Sequence, residues 1–478
     1  MGWGRFFRAV NSRKWARLAV ALSLCQGTCA ELAADAPDLP LPDVQSYRDA
    51  TVPSEAFVRA HEATVVAVIE AIDGTGNPER EPVAEASKVL ARFAERKLPK
   101  PLMALLGIPD RAKRKQLAEA EAILGDTFTF QKVTATVPRR GDGGLDWTWH
   151  GPREDKEWAW MLNRHGWMID LLAAWKETGD LRYVEAIDAH LRDWILNNPY
   201  PGRMTWSEAW RPLEVARRIS KVWPEVWQAL QDVPVFTPET RLLMLRSLLD
   251  HADSLRHYHT PYGNHRLTET VMLARLAAFF PEFRAAPGWR EHAVAEVLRL
   301  LEAQTYPSGA YKELANHYQV IAAKSFQELF DLLVAGGQDG LAGRLRPRLA
   351  AMWNYIASVT RPDGTGPLNN DSDVEPNAKL AGKMAAVLDR PDWAAMADGT
   401  HAPNKAARFF PRAGHVVFRS GFDAAADWAF FDAGPQGTQH QHDDRLHLSV
   451  DLQGRPLLVD AGRYTYDPGP LRDYFKGP

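Results

Sequence analysis

Cysteine is almost missing from this chain of 478 residues: there are two, Cys25 and Cys29, both within the first thirty positions. That stretch places Arg5, Arg8, Arg13, Lys14 and Arg17 ahead of an apolar run from Leu18 to Leu24, followed by the small residues Thr28, Cys29 and Ala30. Basic, apolar and small regions in that order predict a secretory leader over 1–30, cut near Ala30 or Ala34. The mature chain then carries no thiol, which excludes disulfides, a cysteine nucleophile and thiolate-bound zinc. Long hydrophobic runs are also lacking. The run at 18–24 is too short to cross a bilayer, so no transmembrane anchor is expected and the protein is placed in the periplasm or outside the cell.

An excess of positive charge is absent as well. The formal charge is −3, and removing the leader's five basic residues leaves 52 positive against 60 negative groups. A nucleic-acid binder, or a protein gripping densely sulfated chains, would be expected to be strongly basic, so the balance argues against both. No fixed repeat favours a solenoid. What the chain does have is size, enough for one large core or two ordinary ones, and 17 Trp with 12 Tyr. Such rings suit helix packing and the stacking of sugars alike.

Residues 31–60 are rich in Ala, Asp and Pro and read as an extended entry segment. From 61 to 405 the expectation is an α-helical domain, clearest after about 155. There Trp160, Leu162, Trp167, Leu171 and Trp175, then Tyr183, Ile187, Leu191, Trp194 and Ile195, recur at helical spacing. Further helices are predicted near 208–223, 238–256, 265–280, 289–304, 317–335, 341–358 and 377–389, joined by links short enough for antiparallel neighbours. A bundle, a superhelix and a closed toroid all fit this pattern. Over 406–478 the period changes to two, with Val416 and Phe418, then Leu446, Leu448, Val450 and Leu452 alternating with His447, Ser449 and Asp451. This reads as the start of an antiparallel β-sandwich, with fewer strands before Pro478 than a full sandwich needs.

Three segments carry chemistry. His440-Gln441-His442-Asp443-Asp444 precedes a strand and Asp460 ends the next one, so a hairpin can bring two imidazoles and a carboxylate together. A metal site, a proton-transfer site and a structural hydrogen-bond cluster are all open readings. Tyr262-Gly263-Asn264-His265 opens a helix with Glu269 a turn later; Asn264 suits a substrate carboxylate, or is simply an N-cap. The third, running from Tyr306 to Tyr318 through Glu313 and His317, offers three tyrosines; one with a lowered pKa can take a proton and return it. Trp206, Trp210, Arg211, Glu214 and Arg217 are expected on one helix face, where Arg211 or Arg217 can meet a substrate carboxylate or pair with Glu214. Asn369-Asn370-Asp371-Ser372-Asp373 reads as a hydrogen-bonded turn rather than a calcium loop.

In their order these pieces resemble the heparinase II/III family of polysaccharide lyases, most closely its heparan-sulfate-lyase branch. The marks are Trp160-Met161-Leu162-Asn163-Arg164, Thr178-Gly179-Asp180, Asp193-Trp194-Ile195, Gly263-Asn264-His265, Glu313 with His317-Tyr318, and Phe431-Asp432-Ala433-Gly434-Pro435. His440-Gln441-His442 and Leu458-Val459-Asp460-Ala461-Gly462 with Tyr464 and Tyr466 complete the set. The resemblance implies an incomplete (α/α) toroid followed by an antiparallel β-sandwich, and cleavage of an acidic, uronate-containing polysaccharide by β-elimination. It assigns Asn264 and His265 to the uronate carboxylate, Tyr318 as base and acid, and His440 as the assisting imidazole. Arg211, Arg217, Glu269, Glu313 and Tyr466 become the expected substrate contacts. His442 and Asp460 match two ligands of a structural zinc, whose third is expected in a His-Asn-Thr segment after Arg472-Asp473-Tyr474-Phe475. The charge balance shifts the expected substrate from heparin toward heparan, alginate or an exopolysaccharide. A glycoside hydrolase would instead need two facing carboxyl groups, which these segments do not supply.

Overall fold

The computed structural model describes residues 51–477 except 73, 75–80, 262, 403–404, 444 and 466–468. The leader at 1–30, most of the segment at 31–60, Tyr262 and Tyr466 therefore lie outside the described residues. The helices are α1 (Glu55–Ala60), α2 (Glu62–Ala71), α3 (Pro82–Glu95), α4 (Lys100–Met103), α5 (Arg114–Leu124), α6 (Lys156–Asn163), α7 (Met168–Thr178), α8 (Arg182–Asn197) and α9 (Pro212–Lys221). They continue with α10 (Trp223–Leu230), α11 (Pro238–His257), α12 (Gly263–Phe279), α13 (Ala286–Gln304), α14 (Asn316–Ala335), α15 (Asp339–Val359), α16 (Asn377–Val387), α17 (Pro391–Ala397) and α18 (Pro470–Lys476). A hairpin of β1 (Thr127–Phe130) and β2 (Val133–Thr136) interrupts the early helices, and β3 (Ala407–Phe410), β4 (His415–Arg419), β5 (Trp428–Asp432), β6 (His447–Leu452) and β7 (Arg455–Leu458) form one antiparallel sheet in chain order.

Local chemistry sets the helix ends. Thr237 accepts from the Thr240 N–H ahead of Pro238 to open α11, Asp155 caps α6 through the Glu157 N–H, and Gly179 closes α7 in the left-handed conformation. Helix α9 begins at Pro212, so Trp206, Trp210 and Arg211 precede it rather than sharing its face as expected. Helix α12 packs on α9, α11, α13 and α14, and α14 packs on α15, which seals a helical toroid around Trp194, Trp223, Trp227 and Trp353.

Within that core runs a buried polar spine. Asn163 donates to Trp147 O and Ala159 O and accepts from Trp194 Nε1, while Arg218 donates to Asn163 O and, through Nε, to His251 Nε2 at 2.8 Å. Trp223 Nε1 donates to His165 Nδ1 at 3.0 Å. Burial, reinforced by Arg218, pushes His165 and His251 well below the ordinary imidazole range, so both are neutral.

The sheet seats on the helices by an unusual face. In β6 the alternation is inverted: Ser449 and Asp451 point inward and are buried, while Leu448 and Leu452 are exposed. The inner face instead makes specific bonds. Arg361 holds Asp451 through Nε and a terminal nitrogen at 3.0 and 2.9 Å, Tyr355 OH meets His415 Nδ1 at 2.6 Å, and Arg419 donates to Ser358 O and Thr360 O. Phe410, Val417, Trp428 and Phe430 pack around them against Leu314, Tyr355 and Val359. The outer face, with Phe409, Phe418, Leu448 and Leu458, is apolar and exposed, and among the described residues no second sheet lies on it.

The neutral histidines of the spine must take up protons on unfolding in acid. Their folded pKa values are depressed, so stability is full above about pH 6.5 and is lost as pH falls below it. Chemical denaturation between pH 8 and 5 is expected to show this decline; a flat profile would refute the neutral assignment. Asn163→Ala, which strips partners from Trp194 Nε1 and two carbonyls, is expected to cost at least about 2 kcal/mol.

Candidate active site

The segment between α13 and α14 folds back on itself through Tyr306 N to Ala310 O at 2.8 Å and Lys312 N to Gln304 O at 2.9 Å. Gly309, at φ +90°, lets it lie on α15: a Cβ there would stand 2.0 Å from Ala351 O. Leu314 then takes a positive φ of 53°, which turns the chain into α14 and leaves Glu313 buried. The sheet's 433–446 loop comes to this turn. Thr438 N donates to Lys312 O at 3.1 Å and Gln441 Nε2 donates to Glu313 O at 2.5 Å. His440, itself at φ 59°, delivers Nδ1 to Glu313 Oε2 at 2.8 Å and lays its ring on Tyr318, with centroids 3.6 Å apart and planes at 11°. With Nδ1 carrying the proton toward a carboxylate, Nε2 is the imidazole's second working nitrogen. Tyr311 OH adds a longer contact to the other Glu313 oxygen, at 3.4 Å.

A second group faces this one. Asn264 sits in the first turn of α12 rather than capping it from outside; its backbone oxygen accepts from Thr268 Oγ1, and no hydrogen bond of its side-chain amide is found among the described residues. The start of α12 adjoins the His440 loop, since a Cβ on Gly263 would lie 3.7 Å from Gln439 Oε1 and Gln304 Nε2 reaches Gly263 O at 3.5 Å. His265 is half-buried and is pushed below its ordinary pKa range by burial and then by Arg211, Arg217 and Arg164, against an upward pull from Glu313. Three cations and a neutral imidazole thus share one end of the toroid.

Their internal pairing is unequal. Glu214 Oε1 accepts from Arg164 at 2.9 and 3.2 Å and from Arg211 at 3.3 Å, and Arg211 also stacks on Trp160 at 3.8 Å. Glu214 Oε2 is buried without a hydrogen-bond partner, and burial raises this carboxyl's pKa in spite of the arginines. Arg217 is exposed to solvent yet hemmed in by protein, which lowers its pKa, and it has no ion pair among the described residues. Arg217 is thus the cation left over for an incoming anion.

Two expected substrate contacts are corrected. Glu269 is fully buried, and both its oxygens are taken by Thr260, from N–H at 2.6 Å and from Oγ1 at 2.7 Å, so it holds the loop before Asn264. Glu313 is likewise enclosed and holds His440 instead of reaching for substrate. His442 and Asp460, the expected zinc pair, take different partners. His442 Nε2 meets Asp371 Oδ1 at 2.9 Å, whereas Asp460 accepts from Gly462 N at 2.8 Å. No group of three or more His, Cys, Asp or Glu among the described residues is placed to hold a metal.

Segment 369–373 is the buried turn that fastens the whole arrangement. Asn369 and Asn370 both donate to Leu314 O, Asn370 Oδ1 accepts from His442 N, Asp371 N donates to His440 O, and Arg472 binds Asp371 Oδ2 at 2.7 Å. Sequence reading took this stretch as a plain turn and gave Arg472 no role beyond a motif; only their burial together exposes the connection.

With the geometry in hand, comparison with known proteins is decisive about kinship. Residues 83–390 match the heparinase II/III N-terminus and 402–478 match the heparinase II/III-like C-terminal domain. The chain belongs to the heparinase II/III family. It is 28% identical over 378 residues to a heparin-sulfate lyase of Bacteroides stercoris, covering 73% of this chain and 55% of that protein. A heparin-sulfate lyase of Pedobacter heparinus is 27% identical over 400 residues, covering 77% and 59%. The chain thus spans well under two thirds of the length of these curated relatives. Among solved structures, a heparinase III superimposes with a TM-score of 0.73 at 22% identity, over 86% of this chain and 69% of that one. This supports the same toroid-plus-sheet fold in this heparinase II/III member.

The Asp371 knot yields a measurable expectation. Burial would raise its carboxyl, but His442 and Arg472 outweigh that and hold it below the usual carboxylate range. Its contribution is present above about pH 4 and lost as pH falls below that. Asp371→Ala strands two buried donors and is expected to destabilise by about 3–5 kcal/mol. Urea unfolding at pH 7 checks this; an unchanged midpoint would contradict the role given to the turn.

Proposed function

We propose that this protein is a polysaccharide lyase that cleaves uronate-containing chains by β-elimination. The observation that carries the reading is the Tyr318–His440 pair, stacked at 3.6 Å, beside a helix start that offers Asn264 and a neutral His265 under the field of Arg164, Arg211 and Arg217. In such an elimination the proton beside the uronate carboxylate leaves, negative charge builds on that carboxylate, a C4–C5 double bond forms, and the C4–oxygen bond breaks. The amide of Asn264 and the imidazole of His265 are suited to hold the carboxylate as its charge grows, with Arg217 as the free cation nearby. The Tyr318 oxygen is suited to take the C5 proton and, with His440 alongside, to return one to the departing oxygen.

The carboxylates argue against hydrolysis. Glu214, Glu269 and Glu313 are buried and bound to arginines, Thr260 and His440, so none of the three is free to serve in a pair of acids facing each other across a bond. Three relatives bear the name heparin-sulfate lyase, which makes a heparan-sulfate-like glycan the first substrate to try, ahead of alginate or a bacterial exopolysaccharide. The basic, apolar and small regions at 1–30 support export to the periplasm or beyond.

Incubation with heparan sulfate, heparin, alginate and other uronans is expected to generate ultraviolet absorbance from the unsaturated product with at least one of them. Tyr318→Phe is expected to reduce that rate by roughly 10²–10⁴-fold. Release of reducing ends without the absorbance would point to hydrolysis, and tight binding without turnover to a carrier; either would sink the proposal. Glu313→Gln is expected to lower kcat by about tenfold or more while leaving KM close to wild type, because Glu313 acts through His440. A change confined to KM would return Glu313 to the role of substrate contact.

A further inference from the structure

Away from Tyr318 and His440, a cavity of about 260 Å³ opens between the sheet's inner face and α17, lined by His401, Lys405, Arg408 and Arg419 with Ser358, Met396, Ala407, Val417 and Phe422. Four of its nine lining residues are basic types and none is acidic. The two arginines are brought together by strand register. Arg408 on β3 pairs with Val417 on β4, and Arg419 is two residues further along that strand, so the two lie diagonally on one face, about 7–8 Å apart at the backbone.

Like charges in that relation repel unless something lies between them. Arg419 is anchored by the carbonyls of Ser358 and Thr360 and stacks on Phe422 at 3.9 Å, but it has no carboxylate partner among the described residues. Burial and then Arg408 lower its pKa to about 9. Arg408 makes no ion pair among the described residues. Burial and Arg390 lower its pKa, and Asp392, the acid that pulls the other way, is already bound through Nε and a terminal nitrogen of Arg390. Met396, Val417 and Phe422 give the cavity apolar walls, which strengthen any charge–charge attraction inside it. Two arginines lining one cavity whose lining holds no carboxylate offer the donors that recognise an oxyanion.

We propose that Arg408 and Arg419, with Lys405 and His401 at the rim, form a non-catalytic subsite for a single oxyanion, the sulfate or carboxylate of an acidic saccharide. The choice of a saccharide rests on the lyase reading; the oxyanion chemistry does not. Such a subsite would hold a polysaccharide at a second point and leave the eliminating residues untouched.

The test is thermal unfolding of the full chain in the Tyr318→Phe background, so that nothing is turned over. Sodium sulfate, a sulfated uronate oligosaccharide and an unsulfated one are compared with sodium chloride at matched ionic strength. The unsubstituted pocket is expected to gain about 1–3 °C from sulfate and from at least one oligosaccharide. Arg408→Gln is expected to lose that gain and, because repulsion with Arg419 is relieved, to melt higher than its parent in anion-poor buffer. Arg408→Lys, which keeps the charge, is expected to retain part of the gain. An undiminished gain in Arg408→Gln, or a lower melting point without anion, overturns the subsite. A response to sulfate with none to either oligosaccharide overturns the saccharide assignment. Sulfate binding without any lyase activity in the native chain would remove the lyase reading while leaving the oxyanion site in place.

Discussion

Arg361 on the helical side and Asp451 on the sheet are joined by two short hydrogen bonds, and the rest of the site follows from that grip and its neighbours. Apolar faces can slide over one another with little penalty, because dispersion and the hydrophobic effect have no direction. A face that presents Asp451, His415 and Arg419 has one seating in which each finds its partner, and any other leaves buried charge unpaired. Tyr355, Ser358 and Thr360 complete that seating from α15 and its end. Once the sheet is fixed, the loop before β6 has to reach the turn at Glu313, and the His440 ring comes to rest on Tyr318.

The site has a consistent division of labour. Carboxylates are withdrawn from the cleft and used as holders: Glu313 for His440, Glu269 for the Thr260 loop, Glu214 for Arg164 and Arg211. What remains at this end of the toroid besides the carboxylates is the Tyr318 phenol, two imidazoles, the Asn264 amide and Arg217, which has no ion pair among the described residues. Such a set suits an acidic substrate whose carboxylate gains charge during the reaction, and it would serve poorly for chemistry that needs a free acid pair. Family membership agrees with this picture, although the chain spans only 55–59% of the length of two heparin-sulfate lyases that it matches.

Several expectations drawn from residue order met a different physical reality. His442 and Asp460 lie close in sequence with a hairpin between, but the fold also brings His442 to Asp371, seventy-one residues away, where Arg472 binds the same carboxylate. The β6 alternation was legible, but its polarity was not: nothing local says that Ser449 and Asp451 face inward, since Arg361, which holds Asp451, lies ninety residues away in the chain. The β1–β2 hairpin, inside the stretch expected to be helical, escaped notice because Thr127–Thr136 is short and lacks the strong period of the later segments.

By itself the sequence determined the class of each long element. Helical spacing from Trp160 onward, Pro at helix starts and the switch to period two after Phe410 are local signals, and helix and strand formation respond to local signals. It also named Asn264, His265, Tyr318 and His440, because residue types in a given order survive as a family mark. Tertiary structure alone decided which of these meet, that Glu313 and Glu269 are enclosed and hold His440 and Thr260, and that Arg408 and Arg419 line one cavity with no acidic residue in its lining. Those outcomes depend on burial and on partners distant in the chain, where the balance between desolvation and pairing is set by the fold as a whole.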